Sequence, residues 1–559
     1  MATPGDTSAA FCATLADEWV RQGITHAVVA PGSRSTPLAV AIARRPELAL
    51  HVFHDERSAG FAALGIGRAT GIPAVLLCTS GTAAAHFVAP VVEAHQSRVP
   101  MIVCTADRPP ELRDVAAPQT IDQTKMFGNN VRWFHDPGVP GDDARHTWRS
   151  LARRAMTASV GTLPGPVHLN LPFREPLLGD AGELPVVDGS RMVPATLGVD
   201  AASVAGLVPM VSGKDGIIIA GRGATAEVLT LAEALGWPVF ADATSGLREC
   251  HSNVVVGFDP VLRSARFAGS HVPGVIVRIG DPPASKVLAQ WAASSGARVI
   301  QVNVHESVVD PDHKVSVAIS GPVDRIVGLL AGSVAPARPE WLASWMTAEA
   351  AAQKAITAHA DENFTEPTVA RRVADTCPAG SNLVVSSSMP IRDVEWFGTV
   401  TPGVAVHSNR GANGIDGVVS TAVGIALATG APTTLYIGDV AMVHDSNGMW
   451  GLMRRTIDLT IVVTNNDGGS IFSFLPQATQ VDADMFETLY GTPHGVDFSH
   501  LAAAHAVPFV RVGSRQELER ALTGSGTRLI EVVCERSANV AAHDALNAAV
   551  VSAVDAVTA

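Results

Sequence analysis

Two apolar segments that end in oxygen-bearing residues decide the fold of this chain: Tyr436–Asp439, which reads Tyr-Ile-Gly-Asp, and Val462–Gly469, which reads Val-Val-Thr-Asn-Asn-Asp-Gly-Gly. Asp439 and Asn466 are 27 positions apart, so a helix over about Ser446–Ile457 fits between them. We expect a strand–helix–strand unit whose strands end at the same edge of a parallel sheet. A carboxylate, an amide oxygen and a backbone carbonyl would converge there, and Mg2+ prefers such ligands. An ordinary strand-end turn is the alternative.

The same alternation of short β-rich runs and Ala-rich helical segments continues along the chain, which predicts parallel α/β sheets. Stretches rich in Pro, Gly and Asp near Glu175–Gly198 and Gly332–Pro339 indicate linkers. We therefore predict an α/β protein with parallel sheets in three domains, at 1–180, 198–335 and 345–559. The predicted strands are His26–Ala30, Leu48–Phe53, Ala74–Cys78, Met101–Thr105, Gly216–Ala220, Val239–Ala241, Gly274–Ile279, Arg298–Val302, Asn382–Ser386, Thr434–Ile437, Leu459–Thr464 and Leu529–Val533.

The bulk composition excludes some classes of protein. Hydrophobic residues make up 47% of the 559 residues and charged residues 17%, which suits large buried cores and argues against a disordered chain. The formal net charge of −13 argues against general binding to nucleic acid or to an anionic membrane. Small anionic substrates would need a locally basic pocket.

The N-terminal segment and the cysteines predict a cytoplasmic protein. The first residues lack a basic region followed by an apolar core, so no signal peptide is expected, and no apolar run looks long enough to span a bilayer. No two cysteines form a C-x-x-C pair and most lie in or beside apolar runs, so we expect buried, reduced thiols. The six cysteines are Cys12, Cys78, Cys104, Cys250, Cys377 and Cys534.

Polar motifs recur where the predicted strands end. Ligands of parallel α/β sheets bind beyond the carboxyl ends of the strands, so this placement indicates a binding site. The motifs are Ser33-Arg34, Asp55-Glu56, Ser80-Gly81-Thr82, Asp107-Arg108, Gly438-Asp439 and Asn465-Asn466. Glu56 follows an apolar strand and precedes the Ala/Gly-rich helical stretch Gly60–Gly71. Its alternative role is that of a first-turn carboxylate stabilised by the helix dipole.

The pair of segments resembles the cofactor signature of the thiamine-diphosphate enzymes, in which Gly-Asp-x, a spacer and Asn-Asn follow one another. This family usually has Gly where Val440 stands in this chain. The resemblance implies that the side chains of Asp439 and Asn466 and the carbonyl of Gly468 bind Mg2+ or Mn2+. The metal would in turn hold the diphosphate of thiamine diphosphate.

The resemblance also gives Glu56 a catalytic role, because the family uses a glutamate to hydrogen-bond a pyrimidine nitrogen of the cofactor and so activate it. Such a carboxyl must be well buried, so that its pKa can approach neutrality. Ile415 would support the bent cofactor, and further cofactor contacts are implied for Ser80, Gly81, Gly438 and Ile471. One subunit of the family supplies the glutamate and another the metal domain, so we expect at least a homodimer, with a homotetramer as the larger option.

Longer motifs narrow the resemblance to the synthases of menaquinone biosynthesis within this family. These motifs are Pro31–Pro37, Asp55–Arg57, Thr79–Ala83, Ala106–Leu112, Ser408–Gly417 and Asn465–Leu475, whereas the central domain matches weakly, mainly at Lys286 and Trp291. The resemblance implies a carboligase, a thiamine-diphosphate-dependent transferase. It would decarboxylate 2-oxoglutarate and join the remaining carbon unit to isochorismate in a 1,4-addition.

Both implied substrates are dicarboxylates, so a protein of negative net charge must supply local cations for them. Arginine suits this task because its planar fork pairs with a carboxylate through two hydrogen bonds. By resemblance, the 2-oxoglutarate-derived part would contact Ser388, Arg392 and Arg410, and isochorismate would contact Ser33, Arg34, Arg108, Gln119 and Lys286. Phe472 and Leu475, with Ile471, would form an apolar wall beside the cofactor.

Two alternatives stay open at this point. The first is another thiamine-diphosphate-dependent 2-oxo-acid carboligase or decarboxylase, of the acetolactate-synthase type; the several arginines argue against it because pyruvate has one carboxylate. The second is a cofactor-binding or regulatory protein without chemistry. The presence of Glu56, Asp439 and Asn466 argues against that alternative.

Overall fold

The strands of the chain form three separate sheets. A computed structural model describes residues 3–187, 189, 198–249 and 251–558. Within these residues each sheet has six strands, and the strand pairs of defined register are parallel. The predicted α/β class with parallel sheets is therefore confirmed.

The first sheet has the strand order β2-β1-β3-β4-β6-β5. Its strands are β1 His26–Val29, β2 Ala49–Val52, β3 Ala74–Cys78, β4 Met101–Asp107, β5 Trp133–His135 and β6 Pro166–Pro172. The helices of this region are α1 Pro4–Arg21, α2 Thr36–Ala43, α3 Glu56–Thr70, α4 Thr82–Ala85, α5 Val88–Gln96 and α6 Trp148–Val160, with 3₁₀ turns at Pro110–Leu112, Gly128–Asn130 and Asp142–Thr147.

The second sheet has the strand order β12-β11-β10-β7-β8-β9. Its strands are β7 Gly216–Ala220, β8 Val239–Ala241, β9 Val254–Val255, β10 Val275–Ile279, β11 Arg298–Asn303 and β12 Val315–Ser320. The helices of this region are α7 Ala201–Ala205, α8 Val208–Val211, α9 Glu227–Leu235, α10 Phe258–Leu262, α11 Ala265–Ser270, α12 Lys286–Ser294, α13 Val323–Ala331 and α14 Pro339–Glu362.

The third sheet has the strand order β14-β13-β15-β16-β18-β17. Its strands are β13 Asn382–Val385, β14 Ala405–His407, β15 Thr433–Gly438, β16 Leu459–Asn465, β17 Phe509–Val512 and β18 Arg528–Val533. The helices are α15 Glu366–Thr376, α16 Met389–Phe397, α17 Val418–Thr429, α18 Asp439–His444, α19 Gln477–Gln480, α20 Ala483–Phe486, α21 Phe498–Ala504, α22 Arg515–Leu522 and α23 Arg536–Val557. Short 3₁₀ segments occur at Ser446–Met449, Leu452–Arg454 and Ser470–Phe474, and a π-helical turn at Glu487–Gly491.

The chain divides into two compact units that do not follow the sequence order. The first comprises Met1–Ala195, Asn409–Ala431 and Ala441–Leu459, and so adds α17 to the first sheet. The second comprises Thr196–Ser408, Pro432–Val440 and Thr460–Ala559, and so holds the second and third sheets. The predicted boundaries 1–180, 198–335 and 345–559 stay predictions, and residue 345 falls inside α14.

The helix predicted for Ser446–Ile457 is wrong. Helix α18 begins directly at Asp439, and only short 3₁₀ turns follow it. Two glycines of this stretch have special surroundings or conformation. Gly448 lies against the backbone of Ser420, where a Cβ would approach its nitrogen to 3.0 Å, and Gly451 has a left-handed φ of +69°. The backbone at Gly451 cannot continue a right-handed helix.

Six observed strands were not among those predicted from the sequence. They are β5, β6, β9, β12, β14 and β17. Strand β6 is buried throughout although His168 and Asn170 interrupt its apolar run. Both side chains lie within hydrogen-bonding distance of the Thr105 hydroxyl, at 2.8 and 2.9 Å. A buried strand can therefore carry polar residues when tertiary partners satisfy them.

The cysteine prediction is confirmed for part of the chain. Cys12, Cys78, Cys104 and Cys377 are free and buried, whereas the free Cys534 is half-buried. Cys250 lies outside the described residues, as do parts of the predicted linker Glu175–Gly198.

The expectation that no segment is long enough to span a membrane needs correction. Helix α23, with 22 residues, is long and apolar enough by length and composition. The buried residues of this helix include Leu546, Val550 and Val554, which belong to the apolar core of the second unit. A buried helix face of this kind also occurs in ordinary core helices, so the helix alone is weak evidence for a membrane span.

Helices α3 and α17 pack closely in the first unit because glycines face the partner backbone. A Cβ at Gly424 would lie 2.1 Å from the Ala62 carbonyl oxygen, and one at Gly65 would lie 2.2 Å from the Thr421 carbonyl oxygen. Neither neighbour is a flexible side-chain end, so the helices would have to separate to admit a methyl group. This contact fixes the start of α17 beside the helix that begins at Glu56.

We predict that Gly424→Ala destabilises the first unit by about 1–3 kcal/mol, the usual cost of overpacking. A lower midpoint in thermal unfolding, followed by circular dichroism, would measure this loss. Gly328→Ala is the matched control, because Gly328 lies in α13 and a Cβ there would meet nothing within 4 Å. The control should leave stability unchanged or raise it slightly, and an equal loss in both variants would contradict the packing argument.

Candidate functional site

The carboxylate of Asp439 joins the carboxyl ends of β15 and β16. Its Oδ2 accepts hydrogen bonds from the backbone N–H groups of Asn466 and Gly468, each at 3.0 Å, and its Oδ1 accepts one from Val440 N–H at 2.7 Å. Asp439 is only 2% exposed. The two apolar segments that end in Asp439 and Asn466 therefore meet, as their spacing predicts.

The glycines after Asn466 allow a close approach of the backbone. Gly468 has a φ of +142°, and a Cβ there would lie 2.0 Å from the Gly491 carbonyl oxygen. The N–H of Gly469 donates to the same carbonyl at 2.8 Å, and the Gly468 carbonyl accepts from Ser470 N–H at 3.0 Å. The loop is therefore held in one conformation by its own backbone.

The donor set at this edge fits the metal that the resemblance implies. Asn466 Nδ2 donates to Glu366 Oε1 at 2.7 Å, so the side-chain oxygen of Asn466, Oδ1, points away from Glu366. That Oδ1 is buried and has no hydrogen-bond partner among the described residues. A buried, unpartnered oxygen beside a carboxylate suits a hard cation such as Mg2+. The described residues hold no cluster of three or more His, Cys, Asp or Glu side chains that could bind a metal.

Two titratable residues that contact Asp439 and Asn466 were not singled out from the sequence. His494 Nε2 lies 3.3 Å from Asp439 Oδ2, and the hydrogen bond to Asp439 raises the pKa of His494. Burial, and next the charge of Asp393, raise the pKa of Glu366 to about 7, although the hydrogen bond from Asn466 opposes them. Neither residue belongs to a recognisable motif, so only the tertiary contact reveals them.

Ser388 and Arg392 lie at the start of α16 in the second unit. Ser388 has a φ of +73°, a conformation that costs free energy in a residue with a side chain and is often kept at functional sites. Arg392 Nη1 donates to the Ser388 carbonyl at 2.6 Å, so the two predicted substrate residues are linked. The next residue, Asp393, is buried and pairs with His543 at 2.7 Å.

The predicted apolar wall divides into packed and exposed parts. Phe472 contacts Tyr490, with ring centroids 5.4 Å apart, and Ile471 packs against the core of the second unit. Leu475 is 36% exposed. Within the single chain Ile471 therefore has a packing contact and Leu475 is largely open to solvent, and their predicted place beside the cofactor stays a prediction.

Glu56 is the first residue of α3 in the first unit. Asp55 caps this helix, because its side chain accepts hydrogen bonds from the N–H groups of Arg57 and Ser58. Glu56 is half-buried, and after burial itself its charge is a cause of the raised pKa of Cys78 on β3. The full burial expected for the activating carboxyl is therefore not reached within the single chain.

Most residues that the resemblance assigns to isochorismate binding lie in the first unit, on the loops after β1, β3 and β4. Arg108 donates to the buried Ser80 hydroxyl and, at 2.9 Å, to the Pro118 carbonyl. After burial, the nearby charge of Arg34 is the next cause that lowers the pKa of Arg108. A Cβ at Gly81 would lie 2.9 Å from the Gln119 side chain.

Arg34 is buried and already has partners. It donates to the Phe173 carbonyl at 3.0 Å and pairs with Glu175 at 3.2 Å. The Glu175 side chain is 74% exposed, so the buried Arg34 pairs with a carboxylate that faces solvent. Ser33 is exposed beside it.

Gln123 is a further polar residue that the sequence did not single out. It is 1% exposed, accepts a hydrogen bond from Gly81 N–H at 2.9 Å and donates to Asn170 at 2.9 Å. Its position four residues after Gln119 carries no signal of its own. It fixes the backbone at Gly81, which the resemblance places in the cofactor site.

Three predicted residues lie outside these groups. Lys286 is exposed at the start of α12 in the second unit, where Ser285 caps the helix. Ile415 is half-buried in the first unit, two residues before Gly417, where a Cβ would overlap the ring of Phe61. Arg410 is exposed and has no ion pair among the residues that the structure describes.

Comparison with sequence families matches all three regions to thiamine pyrophosphate enzymes. The N-terminal TPP binding domain of these enzymes matches residues 10–126 and the C-terminal TPP binding domain matches residues 399–532. The family described as the middle domain of thiamine pyrophosphate matches residues 202–385.

Three relatives named 2-succinyl-5-enolpyruvyl-6-hydroxy-3-cyclohexene-1-carboxylate synthase match this chain over nearly their whole length. The protein of Chloroflexus aurantiacus is 41% identical, covering 95% of this chain and 94% of the relative. Those of Myxococcus xanthus and Thermobifida fusca are 39% and 41% identical, covering 97% and 98% of this chain and 97% and 99% of the relatives.

A solved structure shares the fold. Benzoylformate decarboxylase from Polynucleobacter necessarius superposes with a TM-score of 0.72 at 17% identity, covering 94% of this chain and 98% of that chain. This likeness supports the fold alone. The family matches and the near-full-length relatives together establish that the chain belongs to the thiamine pyrophosphate enzymes and, within them, to the 2-succinyl-5-enolpyruvyl-6-hydroxy-3-cyclohexene-1-carboxylate synthase family.

Proposed function

We propose that this chain is the thiamine-diphosphate-dependent synthase that decarboxylates 2-oxoglutarate and adds the remaining carbon unit to isochorismate in menaquinone biosynthesis. The observation that carries the proposal is the cradle of Asp439 and Asn466 in a chain whose relatives of that name match it from end to end. The cradle supports cofactor binding, and the relatives support the choice of reaction. A cytoplasmic location is part of the same proposal.

In this proposal Asp439, Asn466 and the Gly468 carbonyl hold Mg2+ or Mn2+, which anchors the cofactor diphosphate. Thiamine diphosphate, when bound, supplies the nucleophilic carbon that the 2-oxo group needs. Glu56 holds a proton against the cofactor pyrimidine, and positioned groups of this kind contribute roughly 10²–10⁴-fold to rate. Ser80, Gly81, Ile415, Gly438 and Ile471 complete the cofactor contacts.

The charged residues divide between the two substrates. Arg392 and Arg410, with Ser388, bind the carboxylates of 2-oxoglutarate. Ser33, Arg34, Arg108, Gln119 and Lys286 bind isochorismate, and Arg34 exchanges the exposed Glu175 for a substrate carboxylate. Phe472 and Leu475 exclude water from the reacting centre. Each arginine offers the planar donor pair that a carboxylate accepts.

The first experiment tests the substrates directly. The protein with thiamine diphosphate and Mg2+ should consume 2-oxoglutarate and isochorismate together and form their joined product, detected by mass spectrometry. Arg392→Lys should raise the KM for 2-oxoglutarate about tenfold or more, because a point charge replaces the fork. Turnover of pyruvate without turnover of 2-oxoglutarate would instead favour an acetolactate-type carboligase.

The second experiment tests the metal cradle. Asp439→Ala should lower the Mg2+-dependent affinity for thiamine diphosphate about 100-fold or more, since even indirect metal partners contribute 10–100-fold. Isothermal titration calorimetry with and without Mg2+ measures it. Asp484→Asn, which removes an exposed carboxylate of the same unit, is the control and should bind normally. Unchanged affinity in Asp439→Ala would exclude Asp439 from the site.

The third experiment tests whether two subunits share each site, as proposed for a homodimer. Glu56→Gln and Asp439→Ala should each be nearly inactive alone. Co-expressed, they form mixed dimers in which one of two sites has both native residues, so roughly a quarter of wild-type activity should return in a symmetric dimer. If both residues served the same chain, no intact site could form and mixing would restore nothing.

A further inference from the structure

A buried carboxylate in the first unit binds a loop that lies more than 300 residues later in the sequence. Glu93, on α5, is 1% exposed. Its oxygens accept hydrogen bonds from three successive backbone N–H groups, those of Gly411 at 3.1 Å, Ala412 at 2.7 Å and Asn413 at 2.9 Å. Consecutive N–H groups that converge in this way form a concave anion site, which in this molecule is filled by a side chain of the same chain.

Two further donors hold the Glu93 carboxylate itself. The Ser97 hydroxyl donates to Oε1 at 2.6 Å, and Arg68 Nη2 donates to Oε1 at 3.1 Å. The Arg68 side chain is 4% exposed, so both members of this ion pair are out of water. A buried carboxylate is tolerated only when its acceptors are satisfied, and Glu93 meets that condition through local donors and through the loop.

The loop rests directly on the end of α5. A Cβ at Gly411 would lie 2.8 Å from the Gln96 Cβ and 2.9 Å from the Ser97 backbone nitrogen. Only glycine therefore permits this approach without moving backbone. The rest of the loop is tied internally, since Asn413 Nδ2 donates to the Asp416 carbonyl at 2.7 Å.

The residues on either side of this contact are those that the proposed function uses. Arg410 immediately precedes the three N–H donors and is exposed, and Ile415 follows them by two residues. An arginine that binds a carboxylate must be held in place by its backbone, since otherwise ordering it costs binding free energy. Glu93 fixes the backbone between these two residues.

We propose that Glu93 is a positioning residue, whose carboxylate sets the loop that presents Arg410 to the carboxylate of the 2-oxo acid and Ile415 to the cofactor. The inference rests on the proposed function for the roles of Arg410 and Ile415. The position of the loop itself does not depend on that function, so the two can fail separately.

The test uses Glu93→Gln in the full-length protein. Glutamine keeps the shape but replaces one acceptor oxygen by an NH2 group that faces backbone N–H donors. Hydrogen–deuterium exchange at the amides of residues 411–413 should become faster than in the wild type. The KM for 2-oxoglutarate should rise about tenfold or more with a smaller change in kcat, because hydrogen bonds to a charged acceptor are among the stronger ones.

A second variant reaches the loop without touching the carboxylate. Gly411→Ala adds the Cβ that Gln96 and Ser97 leave no room for, so it should displace the loop while Glu93 stays intact. It should reproduce both the faster exchange and the higher KM. Agreement between two unrelated changes would tie the effect to the loop.

Glu18→Gln is the matched control for stability. Glu18 is 2% exposed and pairs with Arg149 at 3.0 Å and Arg153 at 3.4 Å, so its loss also breaks a buried ion pair in the first unit. We expect a lower melting temperature with unchanged KM and unchanged exchange at 411–413. Glu93→Gln with a lower melting temperature but unchanged KM and exchange would overturn the positioning role.

The outcomes separate the two proposals. If the wild type does not turn over 2-oxoglutarate, the proposed function fails, and amide exchange in Glu93→Gln still tests the loop. If the wild type is active and Glu93→Gln matches it in KM and in exchange, the inference fails while the function stands.

Discussion

The rest of the site depends on the hydrogen bonds that the Asp439 carboxylate accepts from backbone N–H groups. Asp439 directly follows β15, and its carboxylate binds the start of the loop after β16. The ends of two neighbouring strands are therefore joined. The glycines that follow then lie against Gly491, and the Asn466 amide is oriented by Glu366. The Glu366 carboxyl thereby fixes the direction of the Asn466 side-chain oxygen, and such preorganisation would suit the metal site that we propose.

Satisfied buried polar groups also shape the first unit. The hydroxyl of Thr105, on β4, contacts Asn170, on β6, and Asn170 in turn accepts from Gln123, whose own oxygen accepts from Gly81 N–H. A motif loop is thus fastened to the middle of a buried sheet. Glu93 likewise binds the backbone of a loop that is more than 300 residues distant in sequence. In both places the free energy of leaving a polar group unpaired enforces one backbone conformation.

Sequence pattern and structure agree where a strand is short, apolar and followed by a motif. The strands predicted at Ala74–Cys78, Gly216–Ala220 and Val239–Ala241 have the observed bounds. The pattern fails where tertiary contacts override it, as at β6 with its buried polar residues and at Ser446–Ile457 with its glycines. The partners of Arg34 and the positions of His494 and Gln123 had no local signal, because each arises between segments far apart in the chain.

The sequence by itself determined the α/β class with parallel sheets and the meeting of two strand ends at Asp439 and Asn466, because the strand pattern and the spacing of these two residues can be read along the chain. It also carried the resemblance that names the family. Only the tertiary structure decided that Asn466 Oδ1 has no hydrogen-bond partner among the described residues, and that Glu366 binds the Asn466 amide while His494 contacts Asp439. It also decided that Glu93 holds the loop between Arg410 and Ile415. These contacts join residues that are far apart in the sequence. They form because buried polar groups must find hydrogen-bond partners once the chain has folded.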